Sequence, residues 1–226
     1  MLESPRVAAG AVTDLPPAGY AAGAPRPAVG FSIDVPDHWT VLDLNPDTWD
    51  PWLDAFLDQR LAGRPTAAQE RGPARNALLD LLRRLHDDKV FMAAILAADV
   101  GDELVSASAT MAWRRVPPAE GGIPVEGLRQ IYASAPAGAG EDVDERRVDI
   151  IELGAGGAVK VVSRETLALP GLPEPRAVAA TQYLVPVLDT DWLAVITATT
   201  GNAALAPGVE EVADGMAATL TFTPRP

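Results

Sequence analysis

The apolar positions of this chain change period several times, and each change marks an element. Phe31, Ile33 and Val35 alternate with Ser32 and Asp34, the period of a half-buried strand. Pro36, with no amide to donate, predicts the end of that strand. From Asp47 to Leu61 the period becomes helical, with Trp49, Trp52, Leu53, Phe56 and Leu57 on one stripe and Asp50, Asp54 and Asp58 on another. Asp47 is the expected N-cap, and Gly63 with Pro65 the stop. A second helix is expected from near Thr66, most regular over Ala74 to His86. Its Leu78, Leu81, Leu82 and Leu85 line one face, and Arg75, Arg83 and Arg84 lie outside it.

The segments VFMAAILAAD and ELVSASATMAWRRV read as a hairpin turning at Asp99–Asp102. In the second segment Val105, Ala107, Ala109, Met111 and Trp113 share one face, and Ser106, Ser108 and Thr110 the other. The loop VPPAEGGIP leads to a short helix, Val125 to Ser134, whose apolar side is Leu128, Ile131 and Tyr132. The stretch PAGAGEDVDERR reads as a flexible acidic loop. Four strands follow: VDIIEL, AVKVVSRETLAL after the turn GAGG, AVAATQYLVPVL after a turn near Pro170–Pro175, and WLAVITATT after the turn Asp189–Asp191. A closing helix, Val209 to Ala218, leads to a last short strand, LTFT.

This order predicts an α+β fold, with a central antiparallel sheet of about six to seven strands and helices packed on both faces. Residues 30–226 are expected to form that single domain. Residues 1–29, rich in Pro, Gly and Ala, are expected as an extended segment, either disordered or crossing the surface with a few anchors such as Leu15 and Tyr20.

Composition narrows the chemistry. The net charge of −13 disfavours nucleic acid and anionic membrane surfaces as partners. With no Cys and only His38 and His86, thiolate and multi-histidine metal sites are excluded, as are disulfides. Arg outnumbers Lys sixteen to two, which reads as genomic base composition and not function. No apolar run approaches the roughly 18–20 residues of a membrane span, and no apolar leader follows the N-terminus. A cytoplasmic location is the expectation.

The segments VGFSIDVPDHWTVLDL, ELGAGGAVKV and TQYLVPVLDTDWLAVITATTGN resemble strand-and-turn patterns of an uncharacterised actinobacterial protein family, and the strand plan resembles the PsbP/Mog1-like fold. The chain departs from the family pattern at Asp189, where Pro or Gly stands, and at Ala198, where Phe stands. The resemblance implies a binding protein, in some relatives a chaperone effector for secretion, and it brings no catalytic residue with it.

Candidate chemistry is sparse. His38 follows a proline turn between Asp37 and Trp39, and no nucleophile motif such as G-x-S-x-G accompanies it. Asp43, Asn45 and Asp47 mimic the opening of a calcium loop. Thr48 replaces the turn glycine, however, and Asp54 stands where a bidentate Glu is required. The run from Glu141 to Glu145 abuts Arg146 and Arg147 and reads as solvated charge, and the Gly154–Gly157 turn has no helix N-terminus behind it to receive a phosphate. No catalytic, cofactor or metal site is expected. The sequence points to a non-enzymatic protein-binding module, a scaffold, adaptor or chaperone, with His38, Trp39, Trp49 and Trp52 as interaction candidates. Its partner would be another protein, and a homo-oligomer is compatible with the pattern. The alternative is a small-molecule hydrolase or ligand-binding protein with a cleft near His38 and Trp39.

Overall fold

In a computed structural model, residues 27–63, 66–100, 103–116, 124–134, 142–167 and 176–224 are described. The expectations for the N-terminal segment, for the turn near Pro170–Pro175 and for the loops at 117–123 and 135–141 lie outside these residues.

The elements in chain order are β1 (Val29–Ser32), β2 (Thr40–Val41), α1 (Trp49–Leu61), α2 (Ala67–Asp87), β3 (Val90–Val100), β4 (Glu103–Arg115) and α3 (Val125–Ser134). Then come β5 (Asp142–Leu153), β6 (Gly156–Leu167), β7 (Arg176–Pro186), β8 (Trp192–Thr200), α4 (Ala206–Thr219) and β9 (Thr221–Pro224). Seven strands form one antiparallel sheet in the order β2-β3-β4-β8-β7-β6-β5, and β1 pairs with β9 as a separate ribbon. The predicted class, an α+β domain with helices on both faces of an antiparallel sheet, is the one observed.

Three expectations are corrected. The stretch beginning at Asp142 is strand β5, not loop, because Asp142 to Arg147 carry the ladder with β6 from Asp142↔Thr166 to Arg147↔Val162. The net charge of the run hid a strand register, in which Arg146 pairs with Glu165 and Arg147 with Glu210. The first strand ends at Ser32, and Ile33 is buried without belonging to a strand. A two-residue strand, β2, joins the edge of β3 and was not foreseen.

Local chemistry sets the ends of the elements. Asp189 in the β7–β8 turn has φ 57° and Lys89, just past α2, φ 61°. Both are left-handed positions where a short reversal is needed, and aspartate tolerates that region better than most residues. Gly156 at φ 115° closes the β5–β6 hairpin. The cap expected of Asp47 falls to its neighbours. Asn45 Oδ1 accepts from the Asp47 amide at 3.2 Å in a single 3-10 turn, and α1 follows it from Trp49.

The two sheet faces have different cores. Against α4 and the β1–β9 ribbon lie Ala109, Met111, Trp113, Tyr183, Val185, Ile196 and Ala198, with Val209, Ala213, Met216 and Leu220 opposite. A bulge between Val90 and Met92 turns both Phe91 and Met92 into this core. There Phe91 stacks on Trp113 at 4.7 Å and meets Phe31 edge-on at 4.8 Å. On the other face, α1 and α2 cover the β3 end through Leu53, Leu82, Val90, Ala93 and Ala112. At the opposite end α3 covers Val159, Val161, Leu184 and Leu193 through Leu128.

Candidate functional site

The alternation in β4 and β8 explains why the middle of that second face stays open. Where the first face carries Ala, Met, Trp and Ile, the second carries Ser108 and Thr110 on β4 and Thr197 and Thr199 on β8. Register pairs Ser108 with Thr199 and Thr110 with Thr197. The Ser108 and Thr199 hydroxyls hydrogen-bond at 2.8 Å. A stripe of partly satisfied hydroxyls gains little from being covered by an apolar helix, so α2 and α3 flank it instead.

Between those helices lies a cleft of about 570 Å³. Thr110, Ala112, Gln182, Leu193, Val195 and Thr197 form its floor. Leu85, Asp88 and Val90 wall it on the α2 side, and Leu128, Ile131 and Tyr132 on the α3 side, with Arg114 and Val116 at its end. Ile131, assigned to the apolar side of α3, is 61% exposed at this rim and does not lie in the core.

The polar groups at the end of the cleft are only partly engaged. Arg114 Nη1 donates to the carbonyls of Asp88 at 3.1 Å and Trp113 at 3.3 Å. Its neighbour Arg115, on the opposite face, is instead paired with Asp191 at 2.5 Å. The Tyr132 phenol is pushed up from its ordinary pKa by burial, against the lowering field of Arg114. Among the described residues neither the Tyr132 hydroxyl nor the Gln182 amide has a hydrogen-bond partner, and no cleft hydroxyl is bonded to a histidine or carboxylate. This arrangement can hold and orient a molecule. Among its described residues no nucleophile–base pair of the kind hydrolysis uses is formed.

The four residues singled out from the sequence do not converge. His38 is an exposed turn residue, and Trp39 is buried in the α4-side core. Trp49 and Trp52 pack on the other face, with Trp52 stacked on Phe56 at 5.2 Å and Trp49 edge-on to His86 at 6.0 Å. The calcium-like residues are consumed locally. Asp43 accepts from the Asn45 amide at 2.9 Å and from the Thr48 hydroxyl at 2.5 Å. Among the described residues no cluster of His, Asp and Glu has a metal-binding arrangement, and no helix is long and apolar enough to cross a membrane.

A polar cluster that the sequence reading missed lies on the α4 face. Lys160 Nζ reaches Asp214 at 2.6 Å and Glu210 at 2.8 Å, and Arg147 reaches Glu210 at 2.9 Å. Tyr183 donates to Asp214. The signal was a lysine at an inward position of the apolar run AVKVV, one of only two lysines in the chain. These bonds run between α4 and the sheet strands β5, β6 and β7, so the cluster fastens α4 to the sheet.

No protein-family model matches the chain, and no curated protein sequence does. Among solved structures it is similar to LpqN of Mycobacterium tuberculosis, described as involved in cell envelope biogenesis, with 13% identity and a TM-score of 0.43 over 89% of this chain and 87% of that one.

Proposed function

We propose that this protein is a binding module and not a catalyst, and that the cleft between α2 and α3 receives a largely apolar small molecule. One observation carries the reading: a cavity of about 570 Å³ with apolar walls and a few polar groups at its floor and end. That is the size and lining of small-molecule sites, roughly 300–1,000 Å³. Neither His38 nor Trp39 lines the cleft, so the ligand-binding alternative moves to a different set of residues.

Titration with Nile red, an uncharged apolar fluorophore, tests the reading. Binding is expected to saturate at one molecule per chain and to weaken about tenfold or more in Thr197→Trp, which fills the floor. An unchanged melting temperature in that variant would show that the fold is intact. Binding that is absent, or that ignores the filled cleft, overturns the proposal.

A second reading keeps the partner a protein, as expected of a scaffold, adaptor or chaperone. The exposed Ile131 beside the cleft favours it, since a partner's apolar side chain could use both. The resemblance to the PsbP/Mog1-like fold leans the same way, by analogy of fold alone. Protection of 182–197 from amide exchange by an added partner, with no Nile red binding, would select this reading.

A further inference from the structure

We infer that the occupant of the cleft is an amphipathic molecule carrying a carboxylate, received by Arg114 and Tyr132; the inference rests on the cleft being a ligand site. Arg114 spends Nη1 on the carbonyls of Asp88 and Trp113, at 3.1 and 3.3 Å. Those bonds fix the guanidinium plane and satisfy the carbonyl at the end of α2. The Nε–Nη2 edge is left without a partner among the described residues. Two parallel N–H donors on that edge match the two oxygens of a carboxylate.

The Tyr132 hydroxyl is the second group. It lines the same cavity, has no hydrogen-bond partner among the described residues, and lies within the electrostatic reach of Arg114. Burial keeps the phenol protonated, so it can donate to an anion. Beyond these two groups the lining turns apolar along Val116, Leu128, Leu193 and Val195, which suits a hydrocarbon body behind the charged head.

The remaining polar lining sets the class of head group. Asp88, also at the cleft, brings a negative charge, and Thr110, Gln182 and Thr197 are neutral. The whole chain carries −13. A singly charged carboxylate gains the fork of Arg114 and tolerates Asp88, whereas a phosphate monoester brings more charge against the same aspartate. The site therefore selects monoanion over both dianion and neutral head.

Calorimetric titration with decanoic acid, decanol and decyl phosphate, each below its self-association limit, tests this. The acid should bind the wild-type chain about tenfold or more tighter than the alcohol, and tighter than the phosphate. Arg114→Gln should abolish the preference of acid over alcohol, and Tyr132→Phe, which leaves the guanidinium in place, should reduce it by a smaller factor. Equal binding of acid and alcohol, lost together in Thr197→Trp, overturns the carboxylate inference and leaves the cleft reading standing. A preference for the acid that survives in Arg114→Gln also overturns it. If none of the three compounds binds, both readings fail together.

Discussion

Tyr183 and Asp214 meet across the contact between β7 and α4: the phenol hydroxyl donates to Asp214 Oδ1, and the same oxygen accepts from Lys160 Nζ at 2.6 Å. Lys160 is only 9% exposed, so its charge has left most of its water behind. Its attraction to Asp214 and to Glu210 at 2.8 Å compensates that loss, and each partner depends on the others being present.

Removing Asp214 should therefore destabilise beyond the worth of a surface ion pair. Asp214→Ala leaves the Tyr183 hydroxyl without its acceptor and Lys160 with Glu210 alone. Because the Asp214 side chain is 48% exposed, water recovers part of the loss, and a cost of about 2 kcal/mol is expected. Urea denaturation measures it. A change below about 0.5 kcal/mol would mean that the cluster adds no more than ordinary surface charge.

The same cluster makes alkaline pH the destabilising direction. Tyr183 is raised above its ordinary 10.0, first by burial and then by its bond to Asp214. For Lys160 burial is the largest influence and lowers the pKa, but the bonds and charges of Asp214 and Glu210 together outweigh it, and the value is raised above 10.5. Both groups bind their proton more tightly folded than unfolded. Their stability is fully present below the unfolded pKa values of 10.0 and 10.5 and is lost as pH rises through the folded ones. The urea midpoint should hardly respond to these two groups up to pH 10 and fall above it, with a shallower fall in Tyr183→Phe. A midpoint that rises above pH 10 would contradict this assignment.

Trp39 and His38, adjacent in sequence, should respond oppositely to truncation. Trp39 is 5% exposed in the α4-side core, and its loss should cost about 3–5 kcal/mol. His38 is exposed on the turn, and His38→Ala should change stability by less than about 0.5 kcal/mol. Thermal melts of the two variants decide it, and a silent Trp39→Ala would deny the indole its packing role.

Asp43 should behave as a structural cap, indifferent to calcium. Its two oxygens take the Asn45 amide and the Thr48 hydroxyl, so Asp43→Ala should cost about 1–2 kcal/mol. The melting temperature of the wild-type chain should not move when calcium is added. A calcium-dependent rise that vanishes in Asp43→Ala would restore the metal reading.

Period was the reliable part of the sequence. Ala107 to Trp113 against Ser106 to Thr110 announced both faces of β4, and Val125–Ser134 announced α3 at its observed bounds. Charge misled at β5, because ladder hydrogen bonds do not depend on side-chain polarity, and Arg146 and Arg147 each find carboxylates on opposite faces, Glu165 and Glu210. The cleft was not legible because its parts come from α2, β3, β4, α3, β7 and β8, segments whose spatial order is not their sequence order. The tryptophans drew attention as rare, bulky residues, yet their bulk is what the two cores use. Arg114 was one arginine among sixteen, and its place at the end of the cleft follows only from the fold.

The seam between β4 and β8 also orders events in time. The hairpin of β3 and β4 with its helices is complete by Arg115, but β4 gains its second neighbour only when Trp192 to Thr200 exist. A chain emerging from the ribosome thus carries a long strand with one bare edge through the synthesis of α3, β5, β6 and β7. The hydroxyl stripe that later opens the cleft makes one side of that waiting strand wettable, while Met111 and Trp113 on the other side wait for α4. The β1–β9 ribbon closes later still than the β4–β8 seam, since Ser32 cannot meet Thr221 before that residue has been made.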